Sequence, residues 1–372
     1  MKSADVAVVG AGIVGLAHAY MAARKGLRVV VFDREQFATG ASVRNFGLIW
    51  PIGQPPGADL DRALRSRAHW EDVCKQADIW MKANGSLHLA YHEDEWAVMQ
   101  EFTKKFQSSY QVRLIDPDEV IKLSPGTKRE GLLGALHSNT EATVYSREAI
   151  RQIPPWLSEK FGVEFRMGQV VTAIEMPHVK TPRETWQVDH VFVCSGIDFE
   201  TLYPSYFQQS HLTKCKLQML RVVPLQPIEL GPSLCAGLTL RHYEAFGSCE
   251  SLPKVAARYD AEFPQYKENG VHVLVSQNAL GELIIGDSHH YGRTHEPFDS
   301  EYVNELIMGY LSTFYAVERL TVVERWHGVY PKYSGGTHLL VQPEKGVSIV
   351  NGLGGAGMTL SFGLAEEIVG RL

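Results

Sequence analysis

Apolar side chains run together near the start of the chain, and residues 4–9 read as a short buried strand. Gly10, Gly12 and Gly15 follow at once. Ile13, Val14, Leu16, Ala17, Tyr20 and Met21 then recur at helical spacing, and Gly26 is a natural stop. Residues 27–32 form a second apolar run that ends at Asp33. This pattern predicts a strand, a crossover helix and a parallel strand, with a right-handed connection. Later runs at 191–194, closed by Ser195 and Gly196, and at 347–350 look like strands of the same sheet. The second is followed by a glycine-rich stretch at 351–357, with a helix expected from about Thr359 to the C-terminus.

The chain between these strands has another texture. Residues 86–91, 164–175, 217–225, 271–277 and 282–285 alternate or run apolar like strands of a mixed or antiparallel sheet. Helical patterns cover 60–82, 93–108 and 301–315. The fold class is therefore α/β, a Rossmann-like domain interrupted by an α+β domain. The expected division gives 1–85, 141–205 and 325–372 to the nucleotide-binding domain. It gives 86–140 and 206–324 to the inserted one.

Composition narrows the function classes. Of the 372 residues, 45% are apolar and 21% charged, which is ordinary for a water-soluble globular protein with a large core. A net charge of −6 with no basic stripe argues against a nucleic-acid surface. No apolar run is long enough to cross a membrane, and 6–9 is too short for a signal-peptide core. The 5 cysteines include no CxxC pair and fit a reduced, cytoplasmic protein.

The glycine motif carries chemistry of its own. Gly10 permits a tight turn, Gly12 lets a pyrophosphate approach the backbone, and Gly15 lets helix and strand pack closely. The helix start at Ile13 and Val14 offers free amides and partial positive charge to phosphates. Asp33 stands where an acid grips a ribose hydroxyl, which disfavours a 2′-phosphate. A glycine turn alone need bind nothing; the flanking strands, helix and acid in register favour a dinucleotide. The motif does not separate NAD from FAD.

VAVVGAGIVGLAHAYMAARKGLRVVVFDRE resembles the opening of the D-amino-acid oxidase superfamily, which includes glycine oxidase and sarcosine oxidase. TGASVRNFGLIW, GQVVTAIE, HVFVCSG and NGLGGAGMTLSFG extend the resemblance over most of the chain. It implies non-covalent FAD, since no cysteine lies beyond Cys249. The implied contacts include Arg34 beside Asp33 and the loop residues Ser42, Arg44, Asn45, Phe46, Gly47 and Leu48. Val170 or Val171 would meet adenine, and Cys194, Ser195 and Gly196 would close the second dinucleotide strand. Gly352, Gly354, Gly355, Ala356, Gly357, Met358 and Thr359 would turn amides toward the flavin pyrimidine. Trp50 would stack on the flavin or pack the loop.

SVRNFGLIWPIGQPPG, LRHYEAFGSCESLP, LVSQNALGELIIGDSHHYG and RWHGVYP together resemble a bacterial clade associated with phosphonate breakdown. That resemblance implies 2-aminoethylphosphonate or its N-methyl form as substrate. Two departures from the superfamily matter. Tyr330 stands in GVYP where glycine and D-amino-acid oxidases carry a carboxylate-binding arginine. The stretch ELIIGD lacks the lysine that activates oxygen in sarcosine oxidase, so oxygen or another acceptor remains open. Three basic clusters take the place of the arginine: Arg241, His242 and Tyr243; His289 and His290; Arg325, His327 and Tyr330. His242, His289, His327 and Tyr330 are the candidate catalytic groups, and Arg241, Tyr243, His290 and Arg325 the candidate substrate contacts. No metal is expected. The implied reaction is hydride transfer from an amine-bearing carbon to flavin N5, giving an imine that water hydrolyses to an aldehyde. An amino-acid-type oxidase, a quinone-linked amine dehydrogenase and a non-catalytic flavoprotein sensor or subunit are the alternatives. The oligomeric state is open.

Overall fold

The computed structural model describes residues 2–318 and 320–372. Its first sheet has six strands in the order Glu164–Met167, Val29–Asp33, Val6–Val9, His190–Val193, Val347–Asn351 and Leu339–Glu344. The first five are parallel and the last is antiparallel. Alternation along the strands feeds two cores. Val6, Val8, Val29 and Val31 pack on one face, and Ala7, Val30 and Phe32 on the other. Helices Ile13–Arg24, Ala58–Gln76 and Gly357–Val369 cover the first face. The last helix thus closes the unit that the first strand opens.

The second sheet runs His290–Gly292, Leu212–Pro224, Leu283–Gly286, Leu274–Gln277, Ser233–Ala236, Ser86–Ala90, Gly134–Ser138 and Val112–Ile115. Leu320–Tyr333 pairs along the full length of Leu212–Pro224. The pairing is antiparallel except between Ser233–Ala236 and Ser86–Ala90, so the sheet is mixed. Glu93–Tyr110, Leu252–Glu262 and Glu301–Phe314 pack against it through a large apolar core. The expected boundary at 325 falls inside the continuous strand Leu320–Tyr333, which begins in this sheet and reaches the C-terminal glycine loop at its far end.

Two expected elements differ. The run 164–175 is not one strand of the second sheet. Gly168, at φ 69°, turns the chain after Glu164–Met167 has joined the nucleotide sheet. Ala173–Glu175 then enters a small four-stranded sheet. The helix expected over 60–82 ends at Gln76 because Asp78 takes φ 53°, and Met81–Lys82 pairs with Ala142–Val144 instead. Among the described residues, no helix is long and apolar enough to cross a membrane.

Two histidines lie wholly within the cores. The His18 ring bonds the Val14 carbonyl at 2.7 Å, whereas neither ring nitrogen of His88 has a partner. Burial pushes His18 down to about 4 and His88 to about 3. The unfolded chain therefore takes up protons below about pH 6.5 that the folded chain refuses, and stability falls as pH drops toward those lowered values. At about pH 5 each histidine is expected to cost about 2 kcal/mol. Urea unfolding at about pH 5 and about pH 7.5 checks this; equal stability at the two would contradict it.

Candidate active site

A cavity of about 1060 Å³ runs between the two sheets. At one end the Val6–Val9 strand stops at Gly10, whose φ is 107°. A Cβ there would sit 2.3 Å from the Cys194 carbonyl oxygen. A Cβ on Gly15 would lie 1.8 Å from the Gly10 carbonyl oxygen, so Gly15 backs the turn and does not line the cavity. Gly12, Ile13 and Val14 do line it, at a helix start with no side-chain cap. The Ile13 amide donates to Ser42 Oγ at 2.9 Å, which ties the loop to the helix. Asp33 ends the next strand. Its carboxylate accepts from the Ala11 and Glu35 amides at 2.7 and 2.9 Å, and so is fixed at the cavity wall.

The other expected cofactor residues mostly converge here. Arg34, Ser42, Arg44, Asn45, Phe46, Leu48, Val170, Val171, Cys194, Ser195 and Gly196 all line the cavity. Gly47 does not; at φ 74° it lets the loop pass the Val144 carbonyl oxygen, 1.9 Å from where its Cβ would be. Asn45 also folds its own loop, donating to the Ala41 and Ser42 carbonyls and accepting from the Gly47 amide. Gly352, Gly354, Gly355, Ala356, Gly357, Met358 and Thr359 form the opposite wall. Thr359 Oγ1 accepts from the Trp50 amide at 2.9 Å, so the loop that ends at Trp50 and the C-terminal helix are held together. A long cavity with a glycine turn and helix start at one end, and a second glycine loop beyond, fits an extended dinucleotide.

A family model for FAD dependent oxidoreductases, DAO, matches residues 5–371. The chain belongs to this family. A glycine oxidase from Bacillus licheniformis is 21% identical over 347 residues, 90% of this chain and 83% of that protein. A glycerol 3-phosphate dehydrogenase from Caloramator mitchellensis is 23% identical over 206 residues. That match takes 52% of this chain and only 42% of the dehydrogenase, so the chain spans less than half the length of that relative. Glycine oxidase from Geobacillus kaustophilus superposes with a TM-score of 0.76 at 19% identity, covering 100% of this chain and 95% of that one. The fold is thus that of DAO-family proteins, and the cofactor is FAD. Bound in this cavity, FAD supplies a two-electron acceptor; the residues at the far end decide what may reduce it.

At that far end Arg241, His242, Tyr243, His289 and Tyr330 line the cavity. His290, Arg325 and His327 do not. On the strand Leu320–Tyr333 successive side chains alternate between faces, so Arg325 and His327 point away from the face that carries Tyr330. Arg325 pairs with Glu301 at 2.8 Å, and His327 Nδ1 lies 2.9 Å from Asp299. Only the His327 carbonyl turns toward the loop, accepting from Arg44 at 3.2 Å. Arg241 lines the cavity but is paired with Asp260 at 2.8 Å.

Three further residues face the same space. His272 sits in an apolar run where alternation turns it and Leu274 to the cavity and Val273 and Val275 to the core. Asp287 follows the buried strand Leu283–Gly286. Lys332 lies two residues beyond Tyr330, on the same face, and its Nζ is 3.6 Å from where a Gly354 Cβ would be. Among the described residues no carboxylate pairs with Lys332. Burial holds the imidazoles of His272 and His289 below their ordinary range, His289 to about 4, and nearby Lys332 adds to the effect on His289; His242 is open to the cavity. Burial likewise lifts Asp287 well above the carboxylate range and the phenols of Tyr243 and Tyr330 well above theirs. The phenols are therefore neutral hydrogen-bond donors at pH 7.

Proposed function

We propose that the chain oxidises a small amine that also carries an anionic group, with 2-aminoethylphosphonate or its N-methyl form the best candidates. The amine-bearing carbon loses a hydride, and water hydrolyses the resulting imine to an aldehyde. The observation that carries this reading is that Tyr330 and Lys332 share one strand face beside the C-terminal glycine loop. A phenol replaces the planar guanidinium fork that suits a carboxylate, while an ammonium with no carboxylate partner among the described residues and several neutral donors remain. A phosphonate has three acceptor oxygens and up to two charges, which suits such a scattered donor set. Lys332, Tyr330 and Tyr243 are the proposed contacts, with Arg241 supplying a paired positive charge nearby. The relatives named for glycine support the amine half of the reading.

The test is an anaerobic panel. FAD-loaded enzyme is mixed with 2-aminoethylphosphonate, its N-methyl form, glycine, sarcosine, D-alanine and glycerol 3-phosphate, and the loss of flavin colour is followed. Fast bleaching is expected with the aminophosphonates. Bleaching by sarcosine or D-alanine alone would move the substrate to amino acids. Bleaching by glycerol 3-phosphate alone would keep the tetrahedral anion and replace the amine with an alcohol. Following oxygen uptake and dye reduction with the best substrate then distinguishes oxidase from dehydrogenase.

A further inference from the structure

His242, His272 and His289 crowd one wall of the cavity with Asp287 behind them. The His242 and His272 rings stack at 3.7 Å and 25°, and His272 lies 5.1 Å and 20° from His289. Their ligating atoms lie within 4.8 Å of one another. A tetrahedral metal site needs nitrogens about 3.4 Å apart with lone pairs that converge. Lone pairs lie in the ring planes, and stacked planes send them side by side. The stacked arrangement therefore does not suit a metal, and the proton-bearing contacts are those to the Asp287 carboxylate.

The hydrogen bonds say where that proton goes. His289 Nδ1 donates to the Gly270 carbonyl at 3.0 Å, which leaves the lone pair on Nε2. That Nε2 is 4.0 Å from Asp287 Oδ2. Asp287 Oδ1 is 3.1 Å from His272 Nε2 without a hydrogen bond between them, and neither Asp287 Oδ1 nor His272 Nδ1 has a hydrogen-bond partner among the described residues. The backbones of His272 and Asp287 are bonded to each other in both directions, which fixes the pair. The groups that face this unit are His242, Tyr243, Cys215, Tyr291, Tyr330, Arg241 and Lys332.

We propose that Asp287 and His289, with His272 beside the second carboxylate oxygen, form a single-proton acceptor that converts the bound substrate ammonium into the free amine. This rests on the amine reading above. The proton leaves the ammonium nitrogen, whose bonding pair stays behind as the lone pair that assists hydride loss. It bonds to His289 Nε2, and the unit passes from charge −1 to 0. His289 is the catalytic base, and Asp287 is a positioning residue that supplies the countercharge. In water an alkylammonium with a pKa of ~10.4 resists this by about 4–5 kcal/mol at pH 7. Burial by itself favours the neutral Asp287 carboxyl, and a bound ammonium opposes this by favouring the carboxylate. The transfer then moves one positive charge from the ammonium to the imidazole beside that carboxylate, and leaves the number of buried charges unchanged.

Two measurements test it. In FAD-loaded Asp287→Asn, anaerobic flavin reduction by the best amine is expected to fall about 100-fold at pH 7. The deficit should close as pH approaches the amine's own pKa of ~10, where free amine arrives from solution. A deficit that stays constant with pH, or none at all, would overturn the proposal. The second uses the wild-type FAD-loaded enzyme without any amine, with histidine rings labelled with nitrogen-15. The three imidazoles should respond together to the uptake of one proton. Separate titrations near the ordinary value of ~6.5 would overturn it. If no amine bleaches the flavin, the substrate reading fails, while the ring titration still decides the proton-sharing unit.

Discussion

Gly10→Ala is expected to yield a protein purified without colour, with FAD retention reduced at least ~100-fold. Two costs add at this position. A non-glycine residue at φ 107° is strained by about 1–3 kcal/mol. The new methyl would also lie 2.3 Å from the Cys194 carbonyl oxygen and 3.0 Å from its carbon. Both are backbone atoms of the segment that must itself face the dinucleotide, and the Gly10 amide is already bonded to the Phe32 carbonyl at 2.7 Å. Relief therefore requires moving the turn or the neighbouring strand, and either displaces the helix start from the pyrophosphate. Gly12→Ala separates the two causes, because within the protein its methyl would meet the Ser42 hydroxyl at 3.0 Å and its φ of −75° suits any residue, so loss of FAD there would come from the methyl facing the pyrophosphate. The FAD-to-protein ratio after purification is the readout, with a urea midpoint to separate unfolding from loss of affinity. A yellow Gly10→Ala protein with full FAD content would contradict the assignment.

Lys332→Met should have the next largest effect, on the substrate alone. The side chain keeps its length and apolar stem but loses the ammonium. A charged hydrogen bond in a cavity is worth about 1.5–3 kcal/mol, so affinity for the anionic amine should drop by about 10- to 150-fold. The His327→Ala substitution should change the same constant by less than ~2-fold, because that ring pairs with Asp299 on the other face of the strand. Both constants come from the concentration dependence of anaerobic bleaching. Equal effects from the two variants would show that Lys332 does not hold the anion.

How far the residues alone reach depends on the range of each interaction. The strand, glycine turn, helix and acid between Val6 and Asp33 form one local unit, and every part of it was readable from spacing. The C-terminal glycine loop was readable because its composition is so unusual. The far end of the cavity was not, because it depends on pairing between distant strands. Asp287 reaches the wall only because Gly286 pairs with both Met219 and Leu274. His272 looked like part of a core strand until its face was known. Lys332 and His327 sit five residues apart on one strand, and alternation places one in the cavity and the other outside it. Residue type pointed to a basic pocket; the register decided which basic residues form it.

Product analysis of a single anaerobic turnover tests the central claim most directly. FAD-loaded enzyme is mixed with a small excess of 2-aminoethylphosphonate, quenched, and assayed for aldehyde and ammonia. One aldehyde and one ammonia for each flavin bleached is the predicted result. Bleached flavin without aldehyde, or flavin left oxidised by every amine tried, would contradict it.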